Sequence, residues 1–331
     1  MKVALVTDWD EARRAALAAA AGAGVEIHAF ARGELDALVA RAGTFDAAVG
    51  GRLPRAFFEA AGRLRWLVIP YAGVPAQDRQ VLRDFPRVTV VNSHFNARAA
   101  AEHAWALLLA AAKRLPAADR RLRAGDWTMR HEGPWSLQLR GATLLLVGYG
   151  HIGRALAGYG RAFGMKVLAV RRRGAGEAEA AGGAHTVGAW ADLPRLLPEA
   201  DAVILSLPGT ERTRGLFGRA EFAAMKPGAV FVNVGRGETV DEDAFADALR
   251  TGRLGAAGVD TWWRYPESRA AAAATPPSRH DLSSFENLVM SPHRASHVDG
   301  REDDRLAALA ALLRALAAGR PPAPVDREAG Y

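Results

Sequence analysis

The chain has no cysteine among its 331 residues. That single absence excludes disulfides, thiolate zinc sites, iron–sulfur clusters and a thiol nucleophile. An apolar run of roughly 18 or more residues, the length a spanning helix needs, is missing as well. The opening Met1-Lys2-Val3-Ala4-Leu5-Val6 passes briefly for a signal peptide, but Asp8, Asp10 and Glu11 fall where its apolar region would continue. There is no dense Lys/Arg run with interleaved aromatics, so nucleic acid is not an expected partner. No solenoid-period repeat is present either. The expectation is a soluble, cytoplasmic protein with no metal site, no membrane contact and no nucleic acid.

What is present is a chain that is 50% apolar, long enough for about two domains with ordinary cores. The net charge is +7, carried mainly by arginine. Two readings of it stay open, a solvated basic surface or a basic pocket for a phosphate-rich ligand.

Short apolar, β-branched runs alternate with Ala/Leu-rich helical stretches, the pattern of βαβ units and parallel sheets. A first series of strands is expected at Val3–Val6, Ala47–Val49, Trp66–Ile69 and Val88–Val91, with helices such as Glu11–Ala21 and Gly33–Ala42 between them. A long helix follows from about Ala97 to Lys113, then a polar arm, Arg120–Trp135, without periodicity of its own. A second series begins at Thr143–Val147 and continues through Lys166–Val170, Ala202–Leu207, Ala229–Val234, Ala256–Asp260 and Asn287–Met290. A last helix, about Arg301–Ala318, is expected to return to the first domain and make it discontinuous. The expected fold is therefore α/β with two doubly wound parallel-sheet domains. Residues 1–95 and 297–331 form the first, flavodoxin-like and substrate-binding, and residues 96–296 form the cofactor domain inserted into it.

Gly148-Tyr149-Gly150-His151-Ile152-Gly153 is a G-x-G-x-x-G that follows one strand and opens a helix. In that setting the first glycine makes a tight turn and the second lets the backbone approach a pyrophosphate. The third allows close helix–strand packing. About 20 residues on, where an NAD-specific Rossmann fold places an acidic residue, stand Arg171, Arg172 and Arg173. An arginine there pairs with a ribose 2′-phosphate, so NADP(H) is the expected cofactor, with NAD(H) as the alternative. The other reading of Arg171 and Arg172 is a pair of solvated strand-end charges.

Two more segments end strands of the second series. Asn233-Val234-Gly235-Arg236-Gly237 carries an arginine, and Ser291-Pro292-His293 carries a histidine. Ligands of open α/β sheets bind at the carboxyl ends of strands, so Arg236 and His293 are candidates for one substrate site.

Taken in order, these residues resemble the D-isomer-specific 2-hydroxyacid dehydrogenase family over nearly the whole chain. Asn96 with Ala101-Glu102-His103 looks like the start of the family's interdomain helix. Leu207-Pro208-Gly209-Thr210 with Thr213 is similar to its turn beside the cofactor. Gly258-Val259-Asp260 resembles the turn whose Asp holds the nicotinamide amide. The resemblance implies that Arg236 binds the carboxylate and carbonyl oxygen of a 2-oxo acid and that His293 transfers the proton. It also implies a carboxylate-binding loop at Ala72-Gly73-Val74, with Asn96 beside the substrate. Leu207, Pro208, Thr210, Thr213, Val234, Gly235, Arg236, Asp260 and His293 would line the cofactor.

One departure stands out. The run Asp260-Thr261-Trp262-Trp263-Arg264-Tyr265-Pro266 puts Tyr265 where the family usually carries a glutamate paired with the histidine. A phenol can orient the imidazole but does not stabilise imidazolium as a carboxylate does. Tyr265 therefore joins the catalytic candidates, and His293 is expected to titrate near the ordinary histidine value of about 6.5. The implied activity is NADPH-dependent reduction of a glyoxylate- or hydroxypyruvate-type acid by a homodimer. Oxidation of a simpler anion such as formate or phosphite, and a non-catalytic dinucleotide-sensing scaffold, stay open.

Overall fold

The computed structural model describes residues 1–172, 183–326 and 330. Arg173, one of the three strand-end arginines, lies outside the described residues. The chain divides into two units, Met1–Asn96 with Asp299–Tyr331, and Ala97–Val298. No helix among the described residues is long and apolar enough to cross a membrane.

The first unit runs β1 (Lys2–Val6), α1 (Glu11–Ala21), β2 (Glu26–Phe30), α2 (Leu35–Ala40), β3 (Ala47–Val49), α3 (Arg55–Ala60), β4 (Trp66–Ile69), α4 (Ala76–Leu82) and β5 (Thr89–Asn92). Its sheet has the order β2-β1-β3-β4-β5, and every pairing is parallel. This is the flavodoxin-like doubly wound order. β3 and the last three residues of β4 are wholly buried, because helices cover both faces of a parallel sheet and demand continuous apolar runs.

The second unit runs α5 (Ala97–Ala112), α6 (Leu115–Arg123), β6 (Thr143–Val147), α7 (His151–Ala162), β7 (Lys166–Arg171), β8 (Thr186–Ala189), α8 (Leu193–Leu196), β9 (Ala202–Leu205), α9 (Arg219–Ala224), β10 (Ala229–Asn233), α10 (Glu242–Arg250), β11 (Leu254–Val259) and β12 (Leu288–Met290). The strand order is β12-β11-β10-β9-β6-β7-β8, again all parallel. The order reverses between β6 and β9, the switch point where such sheets open a crevice for ligand. α11 (Arg301–Ala317) belongs to the first unit, where Leu309, Leu313 and Leu316 pack with Val3, Leu5 and Leu17.

Three expectations need correction. The strands β2 and β8 are additional to the expected series. Both are sheet edges and only partly buried, so neither writes an apolar run into the sequence. The segment expected as an arm from Arg120 begins inside α6. There Pro116 suits the first helical turn, and Arg120, Arg121 and Arg123 sit in the last turn, favourably placed for the helix dipole.

Candidate active site

β6 delivers the chain to Gly148, whose φ of +108° lies where side chains are disfavoured. A Cβ there would press on Ser206, the residue that follows β9 across the switch point. A Cβ on Gly153 would overlap the carbonyl oxygen of Gly148, so the first turn of α7 lies directly against the loop. At Gly150 nothing lies within 4 Å of the corresponding position. Gly150 is also the N-cap of α7 and makes no side-chain cap hydrogen bond. An open cradle at a helix N-terminus fits a dinucleotide pyrophosphate.

Around this turn the side chains divide by task. Tyr149 is buried, and its phenol accepts the Ala184 N–H at 3.1 Å. His151 and Ile152 form the first turn of α7. Partial burial, and then the charge of Arg154, lower the pKa of His151. Arg171 is the half-buried last residue of β7, and Arg172 follows it in the open. Leu207 and Pro208 continue from β9. Thr213 is buried and donates to the Pro208 carbonyl at 2.6 Å while accepting the Thr210 N–H at 2.8 Å. The Thr213 hydroxyl is thereby committed to shaping the turn.

β10 ends at Asn233, and its side chain builds the next loop. Asn233 Oδ1 accepts the Gly235 N–H, and Nδ2 donates to the Arg236 carbonyl, both at 3.0 Å. The Val234 N–H donates to Leu205 O on β9 at 3.0 Å. Thr239 Oγ1 donates to the same Arg236 carbonyl at 2.6 Å. Arg236 is half-buried, and its guanidinium donates to the Gly235 carbonyl at 2.7 Å. Among the described residues no carboxylate forms a salt bridge with it, so its charge stays available to an anionic ligand.

His293 follows β12 with φ +53°, a backbone conformation unusual for a residue with a side chain. The fully buried carboxylate of Asp260 holds this turn in place. It accepts Ser291 Oγ–H at 2.6 Å, the Arg294 N–H at 2.9 Å and the Ala295 N–H at 3.1 Å. Trp262 Nε1 donates to the Ser291 carbonyl at 2.8 Å. His103 of α5 lies 2.8 Å from Ser291 Oγ. The Ser291 hydroxyl already donates to Asp260, so the imidazole of His103 donates to it. The sequence quotes His103 and Ser291 in two separate segments, and nothing in it signals that they meet.

Tyr265 Oη lies 2.9 Å from His293 Nδ1 and accepts the Trp262 N–H at 3.1 Å. His293 hydrogen-bonds to no carboxylate among the described residues. Its pKa is lowered, first by surrounding protein and then by the charge of Arg236, while Asp260 opposes the shift. The expectation of an ordinary histidine pKa is corrected accordingly. Replacing the glutamate removes the raising influence, and packing together with Arg236 acts unopposed by any carboxylate at Nδ1.

In the first unit, Ala72 and Gly73 lie in the loop after β4. Asn92 at the end of β5 fastens this loop by donating to the Ala72 carbonyl. The Val74 N–H donates to Gly330 O at 3.1 Å, which removes it from the expected set of carboxylate-binding donors. Asn96 is half-buried at the end of this unit, immediately before α5.

Residues 105–295 match the family described as D-isomer specific 2-hydroxyacid dehydrogenase, NAD binding domain. A glyoxylate reductase of Aeropyrum pernix is 39% identical over 239 residues, 70% of this chain and 67% of that protein. A glyoxylate/hydroxypyruvate reductase B of Klebsiella pneumoniae is 39% identical over 198 residues, 59% of this chain and 57% of that protein. The chain thus matches between about half and two thirds of the length of these curated relatives. Among solved structures, an NADPH-dependent glyoxylate/hydroxypyruvate reductase from Sinorhizobium meliloti, in complex with NADP and malonate, superposes with a TM-score of 0.69 at 27% identity, covering 99% of this chain and 98% of that one. The Gly148–Gly153 turn lies within the residues that match this NAD binding domain. The ordered motifs, the two parallel sheets and these matches agree: the chain belongs to the D-isomer specific 2-hydroxyacid dehydrogenase family.

Proposed function

We propose that the protein reduces a small 2-oxo acid of the glyoxylate or hydroxypyruvate type to the D-2-hydroxy acid, reversibly and with NADPH preferred over NADH. The observation that carries this reading is a guanidinium without a carboxylate partner among the described residues, Arg236, close enough to His293 to lower its pKa. A fixed positive charge and a proton-transferring imidazole are the two groups that carbonyl reduction requires.

The bound cofactor would supply the hydride to C2. Arg236 would hold the carboxylate and polarise the carbonyl oxygen, and His293 would face that oxygen as the proton carrier. The backbone N–H groups of Ala72 and Gly73, with Asn96, are proposed as further contacts for the substrate carboxylate. Asp260, with Val234 and Gly235, is proposed to sit at the nicotinamide end of the cofactor, and Leu207, Pro208 and Thr210 along its length. Arg171 and Arg172 are proposed to receive the 2′-phosphate, supported by their place at the end of β7.

We also propose a homodimer that uses the segment after α6, where Trp127 is 63% and Trp135 is 90% exposed. Large exposed aromatics of this kind mark interfaces more often than solvated surface.

The test is NADPH oxidation with glyoxylate, hydroxypyruvate and pyruvate, alongside NADP⁺ reduction with formate and phosphite. Turnover of the 2-oxo acids supports the reading, and turnover of the simple anions alone replaces it. Cofactor binding without any turnover would make the protein a dinucleotide-sensing scaffold.

A further inference from the structure

We infer that Tyr265 supplies a proton to the substrate through His293, the phenol O–H donating to Nδ1 while the imidazole presents its own proton on Nε2. This rests on the proposed placing of the substrate oxygen at His293, and it reverses the direction of the hydrogen bond that a glutamate would impose. A carboxylate only accepts, so it requires a proton on Nδ1. A phenol can donate.

The geometry favours donation. Tyr265 Oη already accepts the Trp262 N–H at 3.1 Å, and His293 Nδ1 lies 2.9 Å away. The phenol has one hydrogen to place, and Nδ1 is its acceptor among the described residues. That choice fixes the neutral tautomer with Nε2–H. A neutral imidazole of this kind donates a hydrogen bond to the carbonyl oxygen without first being protonated.

The balance of the step is simple. Once C2 has gained hydride, its oxygen is an alkoxide. An O–H bond forms on the substrate as Nε2–H breaks, and Nδ1–H forms as the Tyr265 O–H breaks. The resulting phenolate takes a proton from solvent water, whose O–H bond breaks to release hydroxide, and water reaches Tyr265 because the residue is 46% exposed. An ordinary phenol ionises at about 10, and burial pushes Tyr265 above that, while a simple alcohol holds its proton more tightly still, about as water does. The transfer therefore runs downhill. The charged groups facing the pair are Arg236 and Asp260 for both rings, with His297 also facing the imidazole. Arg236 steadies the transient phenolate, while Asp260 opposes it.

Tyr265 acts through His293 and is a positioning residue that also stores the proton. A lone histidine would lose reduction as pH rises through its own lowered pKa. The relay instead holds activity from pH ~6 to ~9 and loses it only as the phenol ionises, at about 10 or above.

Two measurements on the full chain decide the matter. The first is ¹⁵N NMR of the histidines without cofactor at pH 8, expected to show His293 with Nδ1 bare and Nε2 protonated, a preference lost in Tyr265→Phe. The second is the pH profile of kcat for glyoxylate reduction in wild type, Tyr265→Phe and Tyr265→Glu. Tyr265→Phe should lose on the order of 100-fold at pH 8 and progressively less as pH falls, as imidazolium comes to form directly. Tyr265→Glu should recover activity with a histidine-like decline. A wild-type decline through pH 5–7, or a proton on Nδ1, overturns the relay. Failure of every 2-oxo acid overturns the proposed function and, with it, the substrate end of the relay. The NMR result then still decides the direction of the Tyr265–His293 bond.

Discussion

Ser291 and Asp260, 31 residues apart, meet in a 2.6 Å hydrogen bond, and the same fully buried carboxylate takes the N–H groups of Arg294 and Ala295. Asp260 thus fastens the chain on both sides of His293. Replacing it with alanine leaves three donors without their acceptor, each hydrogen bond to a charged group contributing about 1.5–3 kcal/mol. The losses are not additive, and a total of about 3–5 kcal/mol is expected. Urea denaturation measures it. An equilibrium loss below about 1 kcal/mol would show that the turn around His293 holds itself.

Gly150 and Gly153 should separate cofactor binding from folding. Alanine at Gly153 overlaps the Gly148 carbonyl and should destabilise the apoprotein by about 1–3 kcal/mol. Alanine at Gly150 meets open space, so stability should change by less than about 1 kcal/mol. Dinucleotide affinity should nonetheless drop at least about tenfold, because the methyl occupies the approach of the pyrophosphate. Thermal melting and cofactor titration of both variants check this. Normal affinity in Gly150→Ala would count against the cradle.

Cofactor choice should reside in Arg171. A charged contact to a 2′-phosphate contributes about 1.5–3 kcal/mol, roughly 10- to 150-fold in kcat/KM for NADPH over NADH. Arg171→Asp should reverse the preference, and added salt should shrink it in the wild type. Equal kcat/KM values for the two cofactors would remove Arg171 from the 2′-phosphate site.

The lowered pKa of His293 links the site to stability. The unfolded chain holds a proton on this histidine below about pH 6.5, where the folded chain still resists it. The unfolded state therefore binds more protons, and stability falls as pH drops through about 6.5. His293→Gln should flatten this dependence. Arg236→Gln removes a lowering charge and should flatten it in part. Denaturation midpoints between pH 5 and 7.5 give the slopes, and identical slopes in all three proteins would contradict the linkage.

Light scattering at micromolar concentration should return a dimer mass. Trp135→Glu should shift the equilibrium toward monomer without changing the fold, since Trp135 is 90% exposed within its own chain. A monomeric wild type would remove the segment after α6 from any interface.

The amino-acid pattern decides most of the architecture because buried parallel strands must be apolar throughout. β3 and β10 are buried at every residue, and β4 and β6 nearly so, and each announces itself as an apolar run. The glycine turn is equally legible, since a tight turn followed by a helix N-terminus admits few residue types. The edge strands β2 and β8 stay hidden in the sequence because a strand paired on one side and partly solvated carries no continuous apolar signal. The site follows the same division. Arg236 and His293 can each be named from their position after a strand, and Tyr265 from the family resemblance. Whether Tyr265 reaches Nδ1, and that His103 reaches Ser291 across 188 residues, depend on side-chain directions set by packing. The lowered pKa of His293 arises the same way, from the protein and the arginine that folding places around it. Such contacts join residues distant in sequence, and no local pattern of residue types encodes them.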